Sequence, residues 1–247
     1  MSKNFELLQQ LGKEPEVFLD EPAVMAETTP VKRPVPHLEG PPAEEVGKLV
    51  QRLFLLAGSG QNRMVVFTSA EPGSGCSWIC HNASEILASQ ANGSVCIVDA
   101  NLGAPGLHQR FGITNHFGLT DSLQHAGPIR KFASAIDGTN LWLLSSGAEV
   151  ANWQNLLCSD RGRQRLHELQ QEFDYVLIDA PSLSQSNAAI MLGSATSGAV
   201  LVLKANSSRR EVARKAMDDL KAANVNFLGA VLNQRTFPIP APIYNRL

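Results

Sequence analysis

The chain has 247 residues, and its 23 acidic and 21 basic side chains leave a formal net charge of −2. This length allows one α/β domain with a substantial core plus an extension, and the near-neutral charge gives no reason to expect a nucleic acid as the main partner. The four cysteines show no paired C-x-x-C spacing, which argues against a zinc site and favours reduced thiols. No apolar run approaches the roughly 20 residues that span a bilayer, and the N-terminus is too polar for a signal peptide. We therefore expect a cytoplasmic protein whose membrane contacts are made through a partner.

Residues 1–42 differ in composition from the rest of the chain. Seven prolines fall between Pro15 and Pro42, and because proline fixes φ and removes a backbone donor, we predict a disordered Pro-rich arm. At its start, if the chain is helical there, one apolar stripe would be formed by Phe5, Leu7, Leu8 and Leu11. This stripe is either a frayed terminus or a docking peptide for a partner.

A regular pattern of alternating elements follows, and we predict one domain over residues 43–247. A helix is predicted from Pro42, because apolar residues recur at three- and four-residue spacing in PAEEVGKLVQRLFLLAG. Short runs rich in Val, Ile and Leu predict strands at Met64–Thr68, Val95–Asp99, Leu141–Ser145, Tyr175–Asp179, Ala199–Lys204 and Phe227–Leu232. Amphipathic stretches predict helices, most clearly at Ser77–Gln90, Arg161–Phe173 and Arg209–Ala223. This alternation predicts an α/β fold with a doubly wound, mostly parallel sheet flanked by helices, and such sheets bind ligands beyond the carboxyl ends of their strands.

The loop after the first predicted strand, SAEPGSGCSW, has the form of a phosphate-binding loop. A P-loop reads G-x-x-x-x-G-K-[ST] between a strand and a helix, and this frame holds Ala70, Gly75, Cys76 and Ser77. Gly73 and Gly75 allow close backbone approach, and N–H groups at a helix start face an anion. Ser77 stands where a hydroxyl binds Mg²⁺, but the lysine that reaches the β- and γ-phosphates is absent. The alternative is a Gly-rich β–α turn without a ligand.

Two further predicted strands end in aspartate. Asp99 closes VCIVD, with Asn101 two residues on, and Asp179 closes YVLID. An aspartate at the end of an apolar strand is typical of a Walker B ligand of Mg²⁺, and the alternative for either residue is a helix N-cap or a loop carboxylate. Together, and after a Gly-rich turn, the two aspartates favour a nucleotide site.

The order and spacing of these segments resemble the cytoplasmic domain of bacterial tyrosine autokinases of the capsular and exopolysaccharide type, within the ParA/MinD class of P-loop proteins. The resemblance runs from about Glu45 to Leu247. VFTSAEPGSGCSW is similar to the family's Walker A segment, VCIVDANLGAPGLHQRFGI to its Walker A′ motif, and FDYVLIDAPS to Walker B. SGAVLVLKANSSRREVARKAMDDLKAANVNFLGAVLNQ is similar to its closing strand–helix–strand unit. Glu71 falls where MinD-type ATPases carry a signature lysine, so the kinase branch fits better.

The resemblance implies a set of site residues. ATP or ADP with Mg²⁺ would contact Gly73, Ser74, Gly75, Cys76, Ser77, Trp78 and Asn233, the last at a base-contacting position. The metal ligands would be Ser77, Asp99 and Asp179, and the two aspartates would also be the catalytic residues. Tyr175 lies in the Walker B strand, so Tyr244 is the candidate phosphoacceptor.

Several residues depart from the family's pattern. Cys76 replaces the Walker A lysine, Asn101 replaces the second acidic residue of the A′ motif, and LGAP lacks a basic pair. The ring-forming motif E-x-x-R-x-x-R would fall at Glu45, Lys48 and Gln51, where only the glutamate is unchanged. A neutral thiol cannot replace lysine, and although a helix N-terminus lowers the pKa of a thiol, a thiolate would repel phosphate.

We therefore predict a degenerate relative of these kinases, with weakened nucleotide binding and weak or no kinase activity. By resemblance, it would regulate the biosynthesis or export of an exopolysaccharide or capsule by binding a partner. The family's activator, a membrane-embedded chain-length regulator or co-polymerase, would be a separate chain, and a homo-oligomer remains open. The protein would be cytoplasmic, held at the inner membrane face through that partner.

Two other functions remain open from the sequence. An active autokinase would use Asp99 as the base and Tyr244 as the acceptor. Its missing cation would come from Lys204, Arg209 or Arg210, which are otherwise a solvated helix terminus. A positioning ATPase would dimerise on binding ATP, and the lack of the signature lysine argues against it.

Overall fold

The computed structural model describes residues 40–56 and 63–234. The helices are α1 (Pro41–Val50), α2 (Cys76–Gln90), α3 (Leu107–Phe111), α4 (Leu119–Gln124), α5 (Trp153–Leu157), α6 (Asp160–Glu172), α7 (Ala188–Ser194) and α8 (Arg210–Ala222). A π-helical turn, Gln51–Leu55, continues α1, and a 3-10 turn spans Ile129–Phe132. The strands are β1 (Met64–Ser69), β2 (Val95–Asp99), β3 (Ser134–Ala135), β4 (Leu141–Leu144), β5 (Tyr175–Asp179), β6 (Gly198–Lys204) and β7 (Phe227–Asn233). Residues 1–39 lie outside the described part, so the disordered arm and its docking stripe stay predictions.

Helix α1 begins at Pro41, so the last two residues assigned to the arm belong to this helix. Proline is tolerated in the first helical turn, because the N–H that it lacks would have no intrahelical acceptor there. On the exposed side of α1, Lys48 forms an ion pair with Glu45 at 2.7 Å. On the inner side, Val46 and Val50 are buried against the sheet.

The described strands form one sheet in the order β3-β4-β2-β5-β1-β6-β7. All neighbouring pairs are parallel except β3 and β4, which pair antiparallel at one edge. Strands β1 and β2 are buried at every position, as expected where helices cover both faces of a sheet. The predicted α/β fold with a mostly parallel sheet is therefore confirmed.

Two apolar layers cover the sheet. On one face, the buried side chains of α1, α2 and α3 pack against the sheet. On the other face, α4 to α8 contribute the buried side chains. No helix in residues 40–56 and 63–234 is long and apolar enough to cross a membrane.

One buried arginine holds the loop after α4. Arg165 of α6 is 1% exposed, and its guanidinium donates to the carbonyls of Ser122 at 2.8 Å, His125 at 2.8 Å and Gly127 at 2.7 Å. The same group pairs with Glu168. A buried charge is tolerated only when it is paired and hydrogen-bonded, and this guanidinium satisfies both conditions while fixing the path of the chain between α4 and the 3-10 turn.

Candidate nucleotide-binding site

The strand order brings the three predicted segments of the site together. β5 lies between β1 and β2, and Asp179 at its end is in register with Asp99 of β2 and with Phe67 of β1. Because all three strands are parallel, both aspartates and the loop after β1 lie at one edge of the sheet. This is the arrangement that the sequence predicts.

The loop between β1 and α2 is held by short polar contacts. The hydroxyl of buried Ser74 donates to the carbonyl of Glu71 at 2.8 Å, and the hydroxyl of Ser69 donates to the same carbonyl at 2.9 Å. Gly73 and Gly75 have φ angles of 77° and 79°, a left-handed conformation that favours glycine. The first helical hydrogen bond runs from the N–H of Ile79 to the carbonyl of Gly75 at 3.0 Å. The N–H groups of the first turn of α2 therefore have no intrahelical acceptor.

Asn233, at the end of β7, contacts this loop directly. Its Nδ2 donates to the carbonyl of Ser74 at 2.9 Å, and its Oδ1 accepts from the N–H of Gln234 at 2.8 Å. A Cβ atom on Gly75 would collide with the amide of Asn233. The structure therefore gives Asn233 a contact with the loop backbone, while the predicted contact with a nucleotide base stays a prediction.

Asp99 uses only one of its two carboxylate oxygens. Its Oδ2 accepts from the N–H groups of Gly106 and Leu107, both at 3.0 Å, and so caps the start of α3. Its Oδ1 is buried and accepts no hydrogen bond from the described residues. Burial raises the pKa of Asp99, against the opposing effect of these two N–H groups and of the backbone of Asn101. The helix-cap role and the metal-ligand role are thus compatible, because they use different oxygens.

Asp179 is buried with no hydrogen-bond partner of ordinary geometry among the described residues on either oxygen. Burial and the neighbouring charge of Asp99 raise the pKa of Asp179 to about 7. The side chains of Ser77 and Cys76, and less strongly the charge of Arg110, oppose that rise, although neither oxygen of Asp179 accepts a well-formed hydrogen bond from the described residues. Buried polar atoms without partners are uncommon in folded proteins, and three such carboxylate oxygens at one edge suit a cation.

The environment of Cys76 favours the neutral form of its thiol. Burial and the charge of Asp179 raise its pKa well above the ordinary value, and the same two causes raise the pKa of Cys80 one helical turn away. A lowered pKa, which a helix N-terminus alone favours, is therefore wrong for Cys76. The loop presents a neutral group where the kinases carry a cation.

The remaining predicted residues lie in different places. Trp78 is half-buried and packs against the core under α1 and α2. Lys204 is exposed at the end of β6, in register with Asn233. Arg209 and Arg210 lie at the start of α8, and Tyr244 lies outside the described residues, so its role as phosphoacceptor stays a prediction.

One buried histidine near the site was missed by the sequence reasoning. His81, on α2 one turn after Ser77, stacks edge-on against Phe111 of α3 with ring centroids 4.5 Å apart. Burial, with a smaller effect of Arg110, lowers the pKa of His81 to about 4. Glu85 lies 3.7 Å from its Nε2, but this carboxylate does not offset the effect of burial. The signal in the sequence was the spacing of four residues from Ser77, which places His81 on the same side of α2.

The described residues supply part of what a nucleotide with Mg²⁺ would need for binding. Carboxylate and hydroxyl oxygens are the ligands that Mg²⁺ prefers, and Asp99, Asp179 and Ser77 supply them at one edge of the sheet. The free N–H groups at the start of α2 suit a phosphate. No group of three or more His, Cys, Asp or Glu side chains in the described ranges forms a metal site by itself, so Mg²⁺ would need ligands from the nucleotide and water as well.

The chain was compared with characterised proteins. No protein-family profile matches it. It is 31% identical to tyrosine-protein kinase YwqD of Bacillus subtilis over 173 residues, which cover 70% of this chain and 73% of YwqD. It is 26% identical to tyrosine-protein kinase etk of Escherichia coli K12 over 190 residues, which cover 77% of this chain and only 26% of etk.

Solved structures support the same fold. The chimerical protein CapA2B2 aligns with a TM-score of 0.75 at 24% identity, covering 81% of this chain and 87% of the other. The MinC:MinD cell division complex of Aquifex aeolicus aligns with a TM-score of 0.58 at 21% identity, covering 70% of this chain and 69% of the other. The fold is thus that of ParA/MinD-type P-loop ATPases. Given its similarity to YwqD over most of both sequences, the chain belongs to the family of bacterial tyrosine-protein kinases.

Proposed function

We propose that this chain is a degenerate member of the family, which binds a magnesium nucleotide weakly and acts by binding a partner rather than by phosphorylating tyrosines efficiently. Its task would be to regulate the biosynthesis or export of an exopolysaccharide or capsule. ATP or ADP would contact the loop from Gly73 to Trp78.

The observation that carries this proposal is the presence of Cys76 at the position of the Walker A lysine, because a thiol carries no positive charge in either protonation state. Phosphoryl transfer depends on positioning and on neutralising charge at the transferring phosphate. A thiol held neutral by burial and by Asp179 supplies no positive charge. Loss of one comparable donor to a transition state costs on the order of 10²–10³ in rate, so weak binding and slow turnover are expected.

The other elements of the site remain suited to binding. Ser77, Asp179 and Asp99 would hold Mg²⁺, and Asp99 would use its unpartnered Oδ1. When bound, Mg²⁺ neutralises phosphate charge and favours the ionised form of both carboxyl groups. The left-handed backbone at Gly73 and Gly75 leaves the loop free of side chains at the two positions nearest a phosphate.

The partner is proposed from the family resemblance. It would be a membrane-embedded chain-length regulator or co-polymerase on a separate chain, and it would bring this protein to the inner face of the membrane. A homo-oligomer would lack the family's ring-forming contacts, because Lys48 and Gln51 stand where that motif has arginines.

Calorimetric titration with MgADP and MgATP tests the proposal, using the wild-type protein and a Cys76→Lys variant. We expect dissociation constants weaker than micromolar for the wild type and clearly tighter binding by Cys76→Lys, because lysine restores the phosphate contact. Ser77→Ala and Asp179→Ala, made in the Cys76→Lys background, are expected to weaken binding again. If neither protein binds, the assignment of the site is wrong and only the fold stands.

An active autokinase is the second candidate, favoured by the retention of both aspartates with unpartnered oxygens. Asp99 would act as the base and Tyr244 as the acceptor. Incubation with MgATP followed by peptide mass spectrometry decides between the two functions, with Tyr244→Phe as the control. Phosphate on Tyr244 of the wild type at a rate near that of Cys76→Lys would select the kinase.

A further inference from the structure

Basic side chains cluster where β6 ends and α8 begins. Between Lys204 and Lys215 the only acidic residue is Glu211. The basic side chains in this segment are all exposed, and we call them the basic surface: Lys204, Arg209, Arg210, Arg214 and Lys215. The whole chain has a net charge of −2, so the rest of the protein is more negative than the whole. The charge of the molecule is therefore strongly uneven, with its positive side at this surface.

The turn after β6 holds the members of the basic surface together. The N–H of Ser208 donates to the carbonyl of Lys204 at 3.0 Å, and the hydroxyl of Ser208 accepts from the N–H of Lys204 at 3.0 Å. The end of the strand and the start of the helix are therefore adjacent. Within α8, Arg210 and Arg214 are four residues apart, which places them on the same side of the helix.

The cations of this surface have no carboxylate partners in the described ranges. Basic residues elsewhere in the fold do form such pairs, for example Lys48 with Glu45 and Arg130 with Glu172. Asp218 and Asp219 lie one turn further along α8, yet no ion pair joins them to the basic surface. These side chains therefore stay available to an external anion.

The start of α8 is an unfavourable place for cations. The N–H groups of a first helical turn carry partial positive charge, which favours acidic residues there. Helix α6 follows this rule, with Ser159 as its cap and Asp160 as its first residue. Helix α8 instead has Arg209 at the cap position, without a side-chain cap, and Arg210 as its first residue. Residues that oppose a local preference without a compensating contact in the fold are expected at functional surfaces.

An exposed leucine adjoins the basic surface. Leu232 of β7 is 58% exposed and is in register with Leu203 of β6, one residue before Lys204. Paired residues in register point to the same side of a sheet, and Leu203 packs on the side covered by α8. Leu232 therefore lies on the α8 side of the sheet edge, beside the end of β6.

We propose that the basic surface binds the anionic phospholipid headgroups of a membrane directly, with Leu232 entering the interfacial layer. Clustered lysine and arginine side chains are attracted to anionic lipids, and an apolar side chain among them adds burial at the headgroup boundary. Mobile headgroups need no groove, so they suit long side chains spread over a helix and a strand end. The more negative remainder of the chain would be repelled, which turns this surface toward the membrane.

This inference goes beyond the proposed function, because contact with lipid needs neither a nucleotide nor a partner protein. Co-sedimentation of the full chain with vesicles tests it, using phosphatidylcholine with about one third phosphatidylglycerol, and pure phosphatidylcholine for comparison. We expect binding to the anionic vesicles only, and a marked loss when the salt concentration is raised from about 0.1 M to about 0.5 M. Replacing both Arg210 and Arg214 by glutamine is expected to weaken binding about thirtyfold.

Matched variants separate this surface from general effects of charge and apolarity. Arg52→Gln combined with Lys131→Gln removes the same charge from two exposed positions elsewhere and is expected to leave vesicle binding unchanged. Leu232→Gln is expected to weaken binding about fivefold, whereas Leu56→Gln, at a leucine that is 74% exposed, is expected to have no effect. Equal melting temperatures of all variants show that the fold is kept.

The outcomes are distinct from those of the nucleotide titration. The inference is wrong if anionic vesicles are not bound at low salt, or if the two double variants weaken binding equally. It is also wrong if a polyglutamate peptide is bound and the vesicles are not, since the surface would then dock an acidic protein segment. If the Arg210 and Arg214 double variant loses affinity for MgATP but not for vesicles, these cations serve the nucleotide site and the inference is again wrong. Vesicle binding by a chain that binds no nucleotide would uphold this inference while overturning the proposed nucleotide site.

Discussion

Two buried side chains beside the phosphate loop respond to pH in opposite directions. The pKa of Asp179 is raised to about 7 and that of His81 is lowered to about 4. A raised carboxyl pKa gives the folded state an advantage at low pH that is lost as the pH rises through the folded value. A lowered imidazole pKa leaves the folded state at a disadvantage once the pH falls below the unfolded value near 6.5.

Replacing Asp179 by asparagine is expected to remove the loss of stability at high pH. Between pH 5 and pH 8 the buried carboxylate costs the wild type about 3 kcal/mol of unfolding free energy, because the folded state resists ionisation that the unfolded state accepts. Chemical denaturation at both pH values, without Mg²⁺ or nucleotide, measures this difference. A wild type and an Asp179→Asn variant with parallel pH profiles would contradict the raised pKa.

Replacing His81 by leucine is expected to reduce the loss of stability at low pH. At pH 5 the unfolded wild type takes up a proton on this imidazole and the folded protein does not, which lowers its stability by about 2 kcal/mol relative to pH 7. The His81→Leu variant lacks this imidazole, so its free energy of unfolding changes less than that of the wild type between pH 5 and pH 7. His116→Leu is the matched control at a more exposed histidine, and an equal effect of both substitutions would rule out a special role for burial at His81.

At the scale of elements, the loop before α2 and the end of β7 are in contact through Gly75 and Asn233. Gly75→Ala is expected to cost about 2 kcal/mol, partly from its positive φ and partly from collision with the amide of Asn233. In an Asn233→Ala background, the loss of unfolding free energy caused by Gly75→Ala is expected to fall to about 1 kcal/mol, because only the strain of the positive φ remains. Urea unfolding of the four proteins measures the coupling, and strictly additive costs would show that the two elements do not interact in solution.

The long elements were predictable, because their periodicity extends over enough residues. The predicted strand Val95–Asp99 and the predicted strand Tyr175–Asp179 match the observed ones, and this fixes both aspartates at one edge of a parallel sheet. Helices α3, α4, α5 and α7 have only five to seven residues, too few for a periodic pattern. Because α3 was not predicted, the sequence offered a helix-cap role for Asp99 without showing which helix it caps.

Contacts between distant segments could not be predicted from the sequence either. The strand ending at Asn233 was predicted, but not that its amide would reach the Ser74 carbonyl, because sequence spacing carries no information on a contact 159 positions apart. The pKa of Cys76 is raised by burial and then by the proximity of Asp179, which arises from the pairing of β1 with β5. Helix position alone gave the wrong direction for that pKa.

At the scale of the whole molecule, the described core begins with Val46 of α1. Deleting residues 1–39, which the sequence predicts to be a disordered arm, is therefore expected to leave the melting temperature unchanged, because the described part of both core layers is kept. A longer deletion that also removes Val46 and Val50 is the control, and it is expected to destabilise the protein by several kcal/mol through lost burial. A lower melting temperature after the short deletion would contradict the interpretation of the N-terminal segment as a separate arm.

The arginine under the loop after α4 has a consequence for how the molecule opens. A guanidinium keeps its proton far above neutral pH, and carbonyl oxygens do not titrate, so the bonds from Arg165 to Ser122, His125 and Gly127 are independent of acid and base. In amide hydrogen-exchange measurements, the protection of residues 118–127, corrected for intrinsic rates, is expected to stay constant from pH 5 to pH 8. Protection around Asp179 and His81 is expected to change over the same range, so that acid and alkali loosen the nucleotide edge first and the α4 loop last.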